Sequence, residues 1–358
     1  MTHFLQDILR QPQELERTLG YLSGGGRHGL QTAADAIRRA RHVYLTGIGS
    51  SWHAAFGAGA IFSTAGRPVY MQDAGELVQF ATFPAESVVI AISRSGRSAE
   101  IVNLLAKARE GGAKIIGITN SANGVLARQA HFPILVPALR DHAISVNTYS
   151  TLAVAAAALA CAAVDSFDEQ LAATLRSVAA ETKHSIPNWQ AQIAGNHWFV
   201  PGKLVHFLAR GGSLGSCHEA RLLWEEGAKL AATSLGAGSF RHGPQEMVAE
   251  GTRFAMWIDG QRSREQDLSV AHDLKRLGAS VVLIGQNLSP DAGDLVFELP
   301  EVCAEWQFMI DIIPAQLAAE YLARLSGVDC DSFRICSYVV EDEYGLIGAE
   351  VPVRKDAK

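Results

Sequence analysis

His42-Val-Tyr-Leu-Thr-Gly-Ile-Gly-Ser-Ser-Trp-His53 is a strand-forming run that ends on a glycine-rich, hydroxyl-bearing turn. Such a run, followed directly by a helix opening, is the first half of a parallel βαβ unit. Working outward, the spacing predicts further strands at Pro68–Met71, Ser87–Ser93, Lys114–Thr119 and Phe132–Val136. A second series follows at Lys203–Ala209, Thr252–Ile258, Ser280–Ile284 and Leu295–Leu299. The two series pair: HVYLTGIGS with LVHFLARGGS, VVIAISRSG with FAMWIDGQR, AKIIGIT with ASVVLIG, and PILVP with VFELP. All four offsets are roughly 160–166 residues, and duplication at that scale means two layered units, not a solenoid of short repeats. The expected fold class is therefore α/β, in two copies of a doubly wound parallel sheet flanked by helices.

The helical stretches fall between and around these runs. The first ~20 residues read as an amphipathic helix through Phe4, Leu5, Ile8 and Leu9. Thr151–Ala163 is Ala-rich with almost no polar face, which favours close packing inside a subunit or in a dimer interface. A second helix is expected from Ser166 to about His184, stopping before Pro187, and another from Ser216 to Leu230. The expected boundaries are an N-terminal helical segment at 1–34, a first unit at 35–165, a connecting helix at 166–196, a second unit at 197–328 and a tail at 329–358.

The chemistry-bearing loops sit at strand ends, where open parallel sheets bind ligands. Gly47-Ile-Gly-Ser-Ser-Trp-His53 follows one strand, and Ser93-Arg-Ser-Gly-Arg-Ser-Ala-Glu100 follows another and opens the helix Ala99–Glu110. A lone Ser93 or Ser98 would read as a helix cap. Here, three serines share six residues with Arg94 and Arg97, beside a helix N-terminus whose dipole disfavours cations. An anionic ligand resolves that conflict, so an anion site is expected. A dinucleotide site is disfavoured because Trp52 stands where the third glycine of G-x-G-x-x-G should be, and no P-loop motif occurs. The second half offers acid–base groups instead. Glu219 and Glu226 lie seven residues apart on one helix face, and Ser239-Phe-Arg-His-Gly-Pro244 holds His242 on a turn. Taken singly, Glu219, Glu225 or Glu226 would read as a solvated helix face.

Composition narrows the class. The chain has 358 residues, 48% of them hydrophobic, which is ample for a core and suggests two domains. Its 31 basic and 37 acidic residues give a net charge of −6, which argues against nucleic acid as a partner held by the overall field. The longest apolar run, Thr151 to Val164, falls short of the ~20 residues of a membrane span, and MTHFLQDILRQ lacks a signal-peptide pattern. Five cysteines without a C-x-x-C pair fit reduced cytosolic thiols, and the histidines lack metal-ligand spacing. A cytoplasmic protein with no membrane partner, no bound metal and no cofactor is expected.

The loops GIGSSWHAA and SRSGRSAEI, with EGAKLAATSLGAGSFRHGP downstream, resemble the sugar isomerase (SIS) domain family. The resemblance runs from about residue 35 to 340 as two SIS domains in tandem, similar to the isomerase half of glucosamine-6-phosphate synthase and to related ketose/aldose isomerases and amino-sugar deaminases. It implies that an anionic sugar is held by the hydroxyls of Ser50, Ser51, Ser93, Ser95 and Ser98, and Gly49 and Arg94 of the same loops are expected beside it. It implies that Glu226 shuttles a proton between C1 and C2, and that His242, supplied by the neighbouring subunit of a homodimer, assists ring opening. The implied activity is hexose phosphate isomerisation, with amino-sugar phosphate deamination or deglycation, or a sugar-phosphate-binding regulator, as alternatives. The chain also departs from the synthase. Leu223 and Tyr338 stand at positions where that enzyme has lysines, Arg94 and Arg97 replace a Gln and a Glu, and the start Met1-Thr2 lacks the glutaminase cysteine. Ammonia transfer from glutamine is accordingly not expected.

Overall fold

The computed structural model describes residues 1–346. The expected tail therefore reaches past the described residues. The chain opens with α1 (His3–Ser23) and α2 (Arg27–Arg39), then builds a first unit from β1 (His42–Thr46), α3 (Ser50–His53), α4 (Ala55–Thr64), β2 (Tyr70–Met71), α5 (Ala74–Phe80), β3 (Ser87–Ile92), α6 (Ala99–Glu110), β4 (Lys114–Thr119), α7 (Val125–Gln129) and β5 (Phe132–Leu135). Two long helices follow, α8 (Asn147–Ala163) and α9 (Glu169–Ala194). The second unit contains β6 (Val205–Ala209), α10 (Ser213–Glu226), β7 (Ala232–Gly236), α11 (Ala237–Phe240), β8 (Arg253–Trp257), α12 (Arg264–Arg276), β9 (Ser280–Gly285), β10 (Leu295–Glu298) and α13 (Ile313–Leu325).

Both sheets are five-stranded and wholly parallel, in the orders β2-β1-β3-β4-β5 and β10-β9-β8-β6-β7. Read from the other edge, the second is β7-β6-β8-β9-β10, the same winding as the first. The duplication expected from the paired runs is thus present in the topology. Each strand alternates between two cores, as a sheet covered on both faces requires. Val88, Ile90 and Ile92 of β3 enter a central core that also receives Phe207 and Trp257 from the second sheet. Val89 and Ala91 enter an outer core under α5 and α6, while Phe254 and Met256 enter the equivalent outer core of the second unit.

Helix α8 runs through the central core, and every one of its residues is buried. It packs on α4, α1 and α2 of its own chain, so its small side chains serve intrachain packing. Three expectations need correction. Helix α9 does not stop before Pro187 but continues to Ala194. Pro187 and Lys183 both lie on its exposed face, so the carbonyl that the proline leaves unpaired is solvated. The helix bearing the glutamates begins at Ser213 and ends at Glu226, three residues earlier at the start and four earlier at the end than expected. Strand β7 was absent from the expected set, because Ala232-Thr-Ser-Leu-Gly236 is a sheet edge with one β-branched residue.

Candidate active site

In the first sheet the chain reverses direction between β1 and β3, so the loops after these strands diverge and leave a crevice. Gly49, at φ +54°, turns the chain out of β1 into α3, a conformation that favours glycine. Ser50 and Ser51 then face the crevice. The loop after β3 is folded by its own hydroxyls. Ser93 Oγ accepts from the Gly96 N–H at 3.0 Å and Ser95 Oγ from the Arg97 N–H at 3.1 Å. Ser98 stands at the N-cap of α6 but makes no side-chain capping bond, which leaves its hydroxyl to the cavity it lines. The bland capping role weighed for Ser98 is therefore not what its side chain does.

Glu226 enters this crevice from the other unit. Gly215 of α10 lies so close to α3 that a Cβ there would meet His53 O at 2.6 Å, and this approach brings the two units' site elements together. A cavity of about 260 Å³ results, lined by Gly49, Ser50, Ser51, Ser93, Arg94, Ser95, Ser98 and Glu226 together with Ile48, Glu100, Ser145, Leu222, Phe333 and the chain from Cys336 to Val340. Burial, joined by the negative charge of Glu219 two turns earlier, pushes the Glu226 carboxyl up to about 7 against the opposing charges of Arg94 and Lys229. A carboxyl that titrates near neutrality suits a general base.

Behind the cavity a buried histidine–carboxyl hydrogen bond joins the units. His53 Nδ1 lies 2.7 Å from Glu219 Oε2, and both side chains are buried. The other oxygen, Glu219 Oε1, is buried with no hydrogen-bond partner among the described residues. His218, whose ring lies 5.8 Å from that of His53, hydrogen-bonds Ser234 Oγ through Nδ1 at 2.8 Å. Burial drives the His218 imidazole down to about 4, so it is neutral near pH 7. His53 thus ties the helix that carries Ser50 and Ser51 to the helix that carries Glu226. Nothing in the sequence marked it, because a lone histidine on a short helix has no spacing signature.

The outer wall is the segment after α13. Arg94 Nη2 donates to the Tyr338 carbonyl at 2.7 Å and Arg94 Nη1 to Ser145 Oγ at 2.8 Å. The Tyr338 ring lies between two guanidinium groups, 4.0 Å from Arg94 and 4.4 Å from Arg140. The Ala99 N–H, at the start of α6, donates to the Val340 carbonyl at 3.0 Å, and exposed Arg97 faces Glu341 at 3.6 Å. Arg97 therefore sits at the rim and Arg94 in the wall. His242 is elsewhere: it lies exposed on the turn after α11 and does not line the cavity of its own chain. Among the described residues no group of three or more His, Cys, Asp or Glu side chains could hold a metal ion. No helix among them is long and apolar enough to cross a membrane.

Residues 36–162 match the family model of the SIS domain. Both anion-loop segments fall inside it, while Glu226 lies beyond its matched boundary. Over 93% of its length the chain is 25% identical to a glutamine–fructose-6-phosphate aminotransferase (isomerizing) of Pyrobaculum aerophilum and 27% identical to that of Symbiobacterium thermophilum. It spans 56% and 58% of those proteins, little more than half their length. Among solved structures, the C-terminal domain of the Francisella tularensis glucosamine-fructose-6-phosphate aminotransferase has the same fold, with a TM-score of 0.83 over 92% of this chain and 98% of that one, at 21% identity. A tagatose-6-phosphate ketose/aldose isomerase from Escherichia coli gives 0.79 over 92% and 94%, at 24% identity. A glucosamine-6-phosphate deaminase from Thermotoga maritima gives 0.78 over 95% and 99%, at 19% identity. The SIS domain and the unit that follows it thus share one fold with phosphosugar isomerases and deaminases.

Proposed function

We propose that the protein is a tandem SIS enzyme that interconverts aldose and ketose forms of a hexose phosphate. The observation that carries this reading is the meeting of Glu226, with its carboxyl raised to about 7, and the serine loops of the SIS domain in one cavity. The sugar's anion is held by Ser51, Ser93, Ser95 and Ser98 with the backbone amides of their loops, and Arg94 supplies positive charge in the wall. Anchoring that remote group orients the open-chain sugar, so that C1 and C2 lie within reach of one carboxylate. Glu226, ionised, takes the proton from C2 of the aldose. The C2–H electron pair becomes the C1–C2 double bond of an enediol as the C1 oxygen gains a proton. Glu226 then returns its proton to C1 while the C2 hydroxyl becomes the ketone, giving up to solvent a proton that balances the one the C1 oxygen took from it. His242, exposed on its turn, serves the ring-opening step in the cavity of a second copy, so the active unit is a homodimer.

A second reading has the same proton transfer ending in loss of an amine from C2. Its support is the fold shared with the deaminase over 99% of that chain. One assay separates the two. The protein is incubated with aldose and ketose hexose 6-phosphates and with glucosamine 6-phosphate, and ketose and ammonia are measured together. Interconversion without ammonia, lost in Glu226→Gln, is the expected result. Ammonia release selects the second reading, and no turnover of any of these sugars overturns both.

A further inference from the structure

The carboxyl edge of the SIS-domain sheet carries a second concavity, of about 240 Å³, on the far side of Tyr338 from Glu226. Its lining includes Arg94, Arg97, Arg140, Asn120 and Asn123, and among the described residues no Asp or Glu side chain lines it. In a chain of net charge −6, three guanidinium groups around a hollow that no described carboxylate lines make a local positive field. The hydrogen bonds of these arginines do not neutralise it. Arg94 donates to a serine hydroxyl and to backbone carbonyls, and Arg140 Nε donates to the Tyr338 hydroxyl at 3.2 Å, all of them neutral acceptors. Arg97 has a carboxylate partner in Glu341, but that pair is solvent-exposed at 3.6 Å, a geometry that contributes little. A further orphan lies in the lining: Asn120 Oδ1 is buried without a partner, while its Nδ2 donates to the Val136 carbonyl and to Thr151 Oγ1. The Ser121 hydroxyl and the Asn123 amide also line the hollow and can bond a ligand hydroxyl. The cavity of Glu226 is separate. Ser50, Ser51, Ser93, Ser98 and Glu226 line only that one, and Arg94, Ser95, Tyr338 and Val339 form the common wall.

We propose that this concavity is a second anion site, which takes the phosphate or carboxylate of a separate, hydroxyl-bearing small molecule while the first cavity holds its sugar. Guanidinium forks match both oxyanions, so the geometry fixes the class and the experiment separates the two sources. The site needs no proton transfer and stands independently of the reaction assigned to Glu226.

The test is equilibrium dialysis on the full-length Glu226→Gln protein, saturated with fructose 6-phosphate so that the first cavity is filled and turnover is removed. Labelled inorganic phosphate and labelled citrate are the probes. One further equivalent of at least one probe is expected to bind. Arg140→Gln should weaken that binding at least tenfold and leave fructose 6-phosphate affinity within twofold, while Arg140→Lys, which keeps the charge, retains part of it. The tighter probe identifies the source, phosphate or carboxylate. Should fructose 6-phosphate itself not bind, the reading of the first cavity fails separately, and the second site still shows as a phosphate or citrate equivalent that Arg140→Gln removes. Absence of an additional equivalent, or one indifferent to Arg140→Gln in a protein whose circular dichroism is unchanged, overturns the proposal.

Discussion

The two units have the same strand order and place the same kind of loop after their third strand, yet one crevice is open and the other is filled from within. Ser93 ends β3 in the first unit, and 166 residues later Asp259 holds the equivalent place after β8. Ser93 offers a neutral hydroxyl that accepts one backbone N–H, from Gly96. Asp259 offers a carboxylate that accepts the N–H groups of Gln261, Arg262 and Ser263, at 2.8 Å and 3.1 Å for the first and last. The donors that a bound oxyanion would use are therefore taken by the chain's own carboxylate. Arg210, beside the same crevice, is likewise engaged, its Nε donating to buried Asp267 at 2.7 Å. The remaining cavity is about 50 Å³, against about 260 Å³ in the first unit. Strand order creates the crevice, and the side chain after the third strand decides whether a ligand can enter. The second unit instead contributes α10 and its Glu226 to the first unit's crevice.

That division of labour can be broken at several points. The largest effect is expected from Glu226→Gln, which removes the proposed base and keeps its shape. Proton transfer at C2 should fall roughly 10²–10⁴-fold, while binding of the sugar phosphate, measured by titration, changes little. Next comes Ser93→Asp, which copies the second unit's plug into the first. A carboxylate about 4 Å from the bound phosphate costs about 4 kcal/mol at an effective dielectric of ~20, roughly a thousandfold in affinity. Unchanged Kd for the sugar phosphate would show that the loop does not hold the anion.

The joint between the units supplies the third. His53→Ala leaves the Glu219 carboxylate buried without its partner, and losing one member of a buried pair typically costs about 3–5 kcal/mol. Urea unfolding should report that loss, and a change below 1 kcal/mol would mean the pair does not hold α3 to α10. A smaller effect is expected in the pH profile. Glu226 must be ionised to act, and its carboxyl is raised to about 7, so activity should rise with pH through that value. Glu219→Gln removes a negative neighbour, lowers the Glu226 carboxyl and moves the rising limb toward acid. A limb that stays in place or moves toward alkali contradicts the coupling. The smallest effect belongs to Asp259→Ser. Turnover should remain within twofold, because the second crevice takes no part in the reaction.

Much of this was legible in the residues. The paired runs announced two sheets, because strand-forming runs and the turns that end them act locally. The serine loop and Glu226, singled out separately in the two halves, line one cavity. Three things were not legible. Edge strand β7 lacks the apolar alternation that marks a buried strand, since it pairs on one side only. Helix α9 passes through Pro187 because solvent satisfies the orphaned carbonyl there, a matter of exposure that composition does not encode. The His53–Glu219 pair and the stacking of Tyr338 between Arg94 and Arg140 join residues 166 or more positions apart, or 244 and 198 apart around the tyrosine. Such contacts depend on how the two units dock, and no local pattern carries them.

The most direct measurement is exchange of the C2 hydrogen of a bound hexose 6-phosphate with solvent deuterium, followed by proton NMR from below to above pH 7. The account predicts exchange in the native protein that grows as pH rises through about 7, and exchange reduced at least a hundredfold in Glu226→Gln with sugar-phosphate affinity retained. Exchange that persists unchanged in Glu226→Gln would contradict it.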